Sequence, residues 1–491
     1  MKYHLLTGAT GLLGGYLLRD SLLAGLRMAV LVRANRAESA RQRVESLLSR
    51  WERSGKYSLL RPVVLEGDLS QPDLGLEASD VRWVSEHCDS VIHNAASLSF
   101  HGSDREGEPW RSNLGGTRRV LDLCRRTGIR RYHHVSTAYV CGQRGGVIHE
   151  NELDCSQQFG NDYEQSKFEA ETLVRTSDFI DPPTVFRPAI IVGDSQTGYT
   201  TTYHGFYAPL KLAHTLVSRV LLGATGGDLL AAALGFVGKE RKNFVPVDWV
   251  SAVMVHVLTH AEHHGKTYHL APSRPVLVRR MAEVMHKAVE SYSTPADQHD
   301  ESICDGDWFE RMFCEQMEVY REYWQDDPQF DLPNTTAAAP HLPCPDMDDA
   351  MMMRLMEFAI RSGFGRPRPR PIRPEFDVQR HLDNLLQARN QFLETPNGQT
   401  HLGLEVLGPG GGQWELMLEG TRAVAASEGV SPRCSATFRL DSGTYRQLAG
   451  RRMSVARAVE AGQVAIDGNG MPRHELAAAL QSTVAANGTQ S

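Results

Sequence analysis

The stretch Leu5 to Gly15, LLTGATGLLGG, restricts the fold of this chain more than any other. A short apolar run, Tyr3 to Thr7, passes directly into glycines at positions 8, 11 and 14, and the segment from Leu12 onward has helical apolar spacing. Glycines at such a handover from strand to helix let the backbone approach a phosphate with no Cβ in the way. The unpaired N–H groups of the first helical turn then favour an anion. The spacing is G-x-x-G-x-x-G, and a flexible loop is the alternative for a glycine triplet standing alone. With a strand before it and a helix after it, the turn is expected to hold a dinucleotide through Thr7, Gly8, Thr10, Gly11, Leu12 and Gly14.

Met28 to Val32 is a second buried strand, and the next residue is Arg33. An acid at this point would accept hydrogen bonds from a ribose 2′-hydroxyl, whereas a guanidinium suits a 2′-phosphate. Arg36 follows and no acid appears before Glu38, so NADPH is expected in preference to NADH; a solvated arginine at a strand end is the alternative. Helix Ala37 to Trp51 and strand Pro62 to Glu66 come next, and Asp68 and Leu69 beyond that strand are placed to reach the adenine. Strand Ser90 to His93 leads into Asn94, Ala95 and Ala96, small enough for a cofactor to lie across the strand ends.

A helix beginning near Trp110 carries Asn113, and strand Arg131 to Val135 ends in Ser136-Thr137-Ala138-Tyr139-Val140. Tyr163 and Lys167 head a helix running to about Arg175, and strand Thr184 to Arg187 is followed by Pro188, expected on the cofactor side. Strands and helices alternating at this length predict an α/β fold, a Rossmann-type doubly wound parallel sheet with its ligand at the carboxyl edge.

Tyr163 and Lys167 are four apart and share one helix face. A phenol is a reluctant acid-base group near neutral pH, and a neighbouring ammonium favours its ionised form. Lysine also has donors to spare for a cofactor ribose. A strand-end hydroxyl, from Ser136 or Thr137, would hydrogen-bond a substrate carbonyl while Tyr163 supplies the proton.

TGATGLLGG, Asn113, VSTAYV and YEQSK together resemble the extended short-chain dehydrogenase/reductases, over roughly Met1 to Gly365. That resemblance implies that the catalytic hydroxyl is Thr137, and that Asn113 joins Tyr163 and Lys167 by positioning a water or the lysine. Ile92 to Phe100 (IHNAASLSF), His134 to Val140 (HVSTAYV), Phe186 to Gly198 (FRPAIIVGDSQTG) and Asn243 to Asp248 (NFVPVD) are similar to the fatty acyl-CoA reductase and thioester reductase branch. The branch implies a large lipophilic substrate, an acyl thioester presented by CoA or a carrier protein and reduced to aldehyde or alcohol. Two alternatives stand beside it: a ketone reductase or hydroxysteroid-type dehydrogenase, and a nucleotide-sensing lipid-binding protein.

With 491 residues the chain exceeds a single core. Residues 1–277 are expected to form the NADP-binding reductase domain, with substrate-side insertions near 195–245, and 278–365 a helical substrate subdomain rich in Met and aromatics. The alternating prolines of Arg366 to Pro374 predict an extended spacer over 366–375, with a separate domain over 376–491. In that last part WELMLEG, CSATFRL and EAGQVAIDG resemble the sterol carrier protein type 2 domain, which implies an α+β lipid-binding module, expected to concentrate substrate.

Net charge is −7 with no long basic run, so no nucleic-acid partner is expected. Eight cysteines without a C-x-x-C pair suit a reducing cytoplasm, and no export signal is read at the N-terminus. The most apolar later stretch, Val217 to Val237, contains Asp228 and several glycines, so no transmembrane span is expected. His260, His263 and His264 are read as a helix-end cap, and no metal is expected.

Overall fold

Short runs with both faces buried set the strands of the main sheet, as parallel strands flanked by helices require; most are aliphatic, and RYHHV and TYHL are buried all the same apart from Arg131. In this computed structural model, residues 2–217, 239–292, 325–365, 376–387, 400–468 and 472–484 are described, apart from 54, 56, 57, 103, 421 and 432. The aromatic run Trp308 to Trp324 and the proline spacer lie outside the described residues.

The seven parallel strands are β1 (Tyr3–Thr7), β2 (Met28–Val32), β3 (Val63–Glu66), β4 (Cys88–His93), β5 (Arg131–Val135), β6 (Thr184–Pro188) and β7 (Thr267–Leu270). Their order is β7-β6-β5-β4-β1-β2-β3, with the strand order reversing at β1, as in dinucleotide-binding sheets. The crossover helices include α1 (Leu12–Leu23), α2 (Ala40–Glu52), α3 (Ala78–His87), α4 (Gly116–Thr127) and α5 (Asp162–Arg175). Helix α2 starts three residues later than its apolar spacing suggests. Ser39 caps it, accepting from the Gln42 N–H while the Gln42 side chain accepts from the Ser39 N–H. Among the described residues, no helix is long and apolar enough to cross a membrane.

The chain forms two compact units. One comprises Gly11–Asp20 and Asp89–Pro369. Its second core, beyond the sheet, packs Phe206, Tyr207 and Phe244 against Met281, Met285, Met351, Met352 and Met356, so these methionines are core residues. The loop Asp194-Ser195-Gln196-Thr197-Gly198 is a polar knot in this unit. Asp194 accepts from the Gln196 and Thr197 N–H groups and from the Tyr16 hydroxyl at 2.9 Å, while Asp248 accepts from both the N–H and the hydroxyl of Ser195. Gly198 has φ +71°, and a Cβ there would lie 2.5 Å from the Arg354 carbonyl oxygen.

The other unit joins Met1–Thr10 and Ser21–Cys88 to Arg370–Ser491. Its C-terminal part is a five-stranded sheet of β8 (Thr400–Leu407), β9 (Gly412–Glu419), β10 (Arg422–Glu428), β11 (Ala436–Asp441) and β12 (Val464–Asp467), in the order β10-β9-β8-β11-β12. Strand β10, RAVAASE, has too little apolar alternation to be read from sequence. One sheet face carries Leu402, Leu404, Trp414, Leu416 and Phe438 into a core with the flanking helices. The residues between them, Glu405 on β8 and Arg439 on β11, point to the opposite face, and both are buried.

That second face meets the N-terminal ends of β1 and β2. Arg439 donates to Glu405 at 3.1 Å, to Asp467 at 3.3 Å and to the Tyr3 hydroxyl at 3.4 Å. Arg41 of α2 pairs with Glu405, and Arg27 with Asp467. Arg61, only 4 % exposed, bridges Glu45 and Glu52 of α2 to Asp441 of the C-terminal part, at 3.1, 2.8 and 3.1 Å. Removing one partner of such a buried pair costs about 3–5 kcal/mol. The C-terminal sheet is therefore fastened by charged and polar links to Tyr3, Arg27, Arg61 and α2.

Candidate active site

Thr137 follows β5 in extended conformation and caps the short 3-10 turn Ala138–Cys141, accepting from the Tyr139 N–H. Strand alternation sends adjacent side chains to opposite faces and so separates the two candidate hydroxyls. Thr137 is turned toward the Tyr163 phenol and donates to the Pro188 carbonyl at 3.5 Å, whereas Ser136 is turned toward the Glu171 carboxylate.

Tyr163 and Lys167 lie in the first two turns of α5, which Asn161 caps by accepting from the Glu164 N–H. Their acidities differ from what the four-residue spacing suggests. Burial pushes the Tyr163 phenol up to about 12, with the neighbouring Thr137 hydroxyl working the other way. Burial also pulls the Lys167 ammonium down to about 8, opposed by Glu171. Lys167 Nζ donates to the Val135 carbonyl at 2.6 Å, so desolvation, not the ammonium, dominates the tyrosine. Below the lysine, Glu171 is held down to about 2: burial works to raise it, and the Arg187 and Arg175 guanidiniums at 2.7 and 2.8 Å prevail.

Asn113 is in a one-turn π-helix, Arg111–Gly115, a local insertion common at functional sites. Its side chain accepts from the Ser97 N–H at 2.8 Å and donates to the Ser97 carbonyl and to the Ser166 hydroxyl at 3.0 Å. Ser166 in turn donates to the Tyr163 carbonyl. Asn113 thus ties the segment after β4, which contains Asn94, Ala95 and Ala96, to the helix of Tyr163. Its own carbonyl accepts from Thr117, and Thr117 Oγ1 is 3.1 Å from His93 Nε2. Because the threonine proton is committed to Asn113, His93 Nε2 must carry a proton and donate it. Burial keeps this imidazole neutral, with its pKa near 3. Neither His93, Thr117 nor Ser166 stands out in sequence, since each acts through a partner distant along the chain.

In the same unit, Gly11 and Leu12 open α1, with the Gly15 N–H bonded to the Gly11 carbonyl, and Gly14 is buried. In the other unit, Thr7 ends β1 and Gly8 follows with φ +72°, the left-handed geometry a phosphate-binding turn uses. Arg33, its side chain 70 % exposed, pairs with Asp68 at 3.3 Å. Burial works to raise Asp68, but bonds from Ser70 and Arg33 hold it below the usual carboxylate range. Leu69 is beside it, half-buried. Sequence reading missed Arg43, whose guanidinium donates to Thr10 Oγ1 at 2.9 Å and to the Arg33 carbonyl. Burial and the neighbouring Arg33 charge lower its pKa. Two guanidiniums beside a glycine turn fit an anionic group such as a ribose phosphate.

His260 Nδ1 contacts the His256 carbonyl at 2.8 Å and His264 Nε2 the Leu258 carbonyl, both on the last turn of the helix Val247–Thr259, as a cap would.

Residues 6–254 match the NAD-binding family described as Male sterility protein. Aldehyde reductase lnaA of Aspergillus flavus is 28 % identical over 315 residues, covering 61 % of this chain and 28 % of that protein. Nonribosomal peptide synthetase asaC of Aspergillus flavus is 26 % identical over 285 residues, covering 55 % of this chain and 26 % of that protein. The chain spans at most 28 % of the length of these two relatives. The crystal structure of the terminal R domain from the myxalamid PKS-NRPS pathway superposes with a TM-score of 0.58 at 25 % identity, over 74 % of this chain and 92 % of that one. A thiolation-reductase di-domain from an archaeal non-ribosomal peptide synthetase shares the fold, with a TM-score of 0.52 at 17 % identity over 74 % of this chain and 76 % of that one.

Proposed function

The chain belongs to the Male sterility protein family of NAD-binding domains, and from that premise we propose that it is an NADPH-dependent reductase acting on the acyl thioester of a lipophilic substrate. The observation that carries the reading is the placement of Thr137, Tyr163 and Lys167 at the carboxyl end of β5. A carbonyl oxygen held between the Thr137 and Tyr163 hydroxyls would be polarised by two donors. With a pKa near 12, Tyr163 keeps its proton at neutral pH and can deliver it to the oxygen as negative charge develops there. Lys167 supplies the positive charge beneath and donors for a ribose, and Asn113 holds the segment on which the cofactor would rest.

When bound, the reduced nicotinamide supplies the hydride to the carbonyl carbon. Collapse of the resulting tetrahedral centre releases the thiol and leaves the aldehyde, and a second reduction would give the alcohol. The preference for NADPH is supported by Arg33 and Arg43, whose guanidiniums suit a 2′-phosphate. Presentation on a carrier protein is supported by the relatives, which include a nonribosomal peptide synthetase and a reductase joined to a thiolation domain. A reducing, cytoplasmic setting suits a chain whose eight cysteines are scattered along the sequence.

The test is NADPH oxidation with acyl-CoA, acyl-carrier, aldehyde and hydrophobic ketone substrates, with products identified by mass. The proposal expects aldehyde or alcohol with one free thiol per acyl group reduced. Turnover of ketones alone would replace it with the ketone reductase reading.

A further inference from the structure

Helix α2 has two working faces. Arg41, Glu45, Leu48 and Glu52 follow helical spacing along one stripe, and that stripe faces Arg61 and the C-terminal sheet. Arg43 is two residues from Arg41, roughly 200° around the helix, and reaches Thr10 and the Arg33 carbonyl instead. The first face is closely seated. A Cβ on Gly408, at the end of β8, would come within 2.8 Å of Glu45 Cγ, and Ser58 donates to the Ala461 carbonyl. A Cβ on Gly462 would lie 3.5 Å from Leu60 Cδ2.

We propose that the C-terminal domain is a fixed buttress for α2, and that through α2 it positions Arg43 at the phosphate-binding turn. The proposal rests on the reading of Arg33 and Arg43 as the ribose-phosphate site. Its physical basis is geometric: Arg43 reaches Thr10 and the Arg33 carbonyl at the cost of partial desolvation, with Glu38 attracting its charge and Arg33 repelling it, and a rotation of α2 would break both contacts. The ion pairs on the opposite face oppose that rotation. The domain therefore has a role that needs no lipid cavity: it sets cofactor selectivity from the amino ends of the strands.

Arg41→Met and Glu405→Gln each remove one link between α2 and the C-terminal sheet without touching the cofactor residues. Each is expected to weaken NADPH binding about five-fold or more, measured as Kd by fluorescence titration of the full chain, with Kd for NADH and kcat at saturating NADPH unchanged. In an Arg43→Met background Arg41→Met should add nothing, because the two act in series. If Arg43→Met itself leaves the NADPH-to-NADH ratio unaltered, the phosphate-site reading is wrong. If it alters the ratio while Arg41→Met and Glu405→Gln do not, the buttress is overturned. Should either variant fail to fold, hydrogen exchange on the unaltered chain carries the test. NADPH should slow exchange in β8 and β11 as well as in α2, more than NADH does, because coupling is reciprocal. NADPH protection that leaves exchange in β8 and β11 no slower than with NADH would overturn the proposal.

Discussion

The division of labour between two adjacent hydroxyls is the sharpest feature at the scale of single residues. Thr137→Val keeps the shape and removes the donor, and Tyr163→Phe removes one oxygen, so each should lower kcat by about 100-fold or more with NADPH binding retained. Ser136→Ala, on the Glu171 side, should leave kcat within a few-fold. Equal losses at 136 and 137 would contradict the assignment. The pH profile is a separate check. Lys167, pulled down to about 8, is charged below that pH and neutral above it, so kcat/KM should fall as pH rises through about 8. In Lys167→Met that break should vanish. Tyr163 near 12 and His93 near 3 contribute no break between them. The tyrosine and lysine were legible because helical spacing alone puts them on one face. Arg43 was not, because it reaches Thr10 only after α2 folds back along the sheet.

Among the elements, the π-turn of Asn113 carries the most specific expectation. Thr117→Val is nearly isosteric and removes both the donor to the Asn113 carbonyl and the acceptor of the His93 N–H, at a cost of about 1–3 kcal/mol. It should lower kcat several-fold, with Thr117→Ser restoring it. A Thr117→Val enzyme with unchanged kcat and a lowered melting temperature would make the contact purely structural. The strands β1 to β6 were readable to within two residues at each end, whereas β7, with the sequence TYHL, was not, since too little of it is aliphatic to stand out. The π-turn was not, since one extra residue in a helical turn leaves no mark on apolar periodicity. Asp327 was missed for a similar reason. It accepts from Tyr139, Lys242 and the Asn243 N–H and so braces the turn that begins at Thr137, but it is nearly 200 residues from that turn.

The molecule as a whole combines a reductase fold, legible from its glycine turn onward, with a C-terminal sheet whose attachment was not. Alternating charged residues on β8 and β11 look like a solvated face in sequence, and only the structure shows Glu405 and Arg439 buried against Tyr3 and Arg41. The resemblance of this part to a lipid carrier concerns its own core, whereas its attachment concerns the opposite face, so the two are tested separately. The chemistry at Thr137 and Tyr163 can be followed by isotope transfer. With NADPH deuterated at the transferring position of C4 and a long-chain acyl thioester, deuterium is expected on the former carbonyl carbon and one thiol released per acyl group reduced, with both lost together in Tyr163→Phe. Thiol release with no deuterium in the product would mean hydrolysis and would contradict that chemistry.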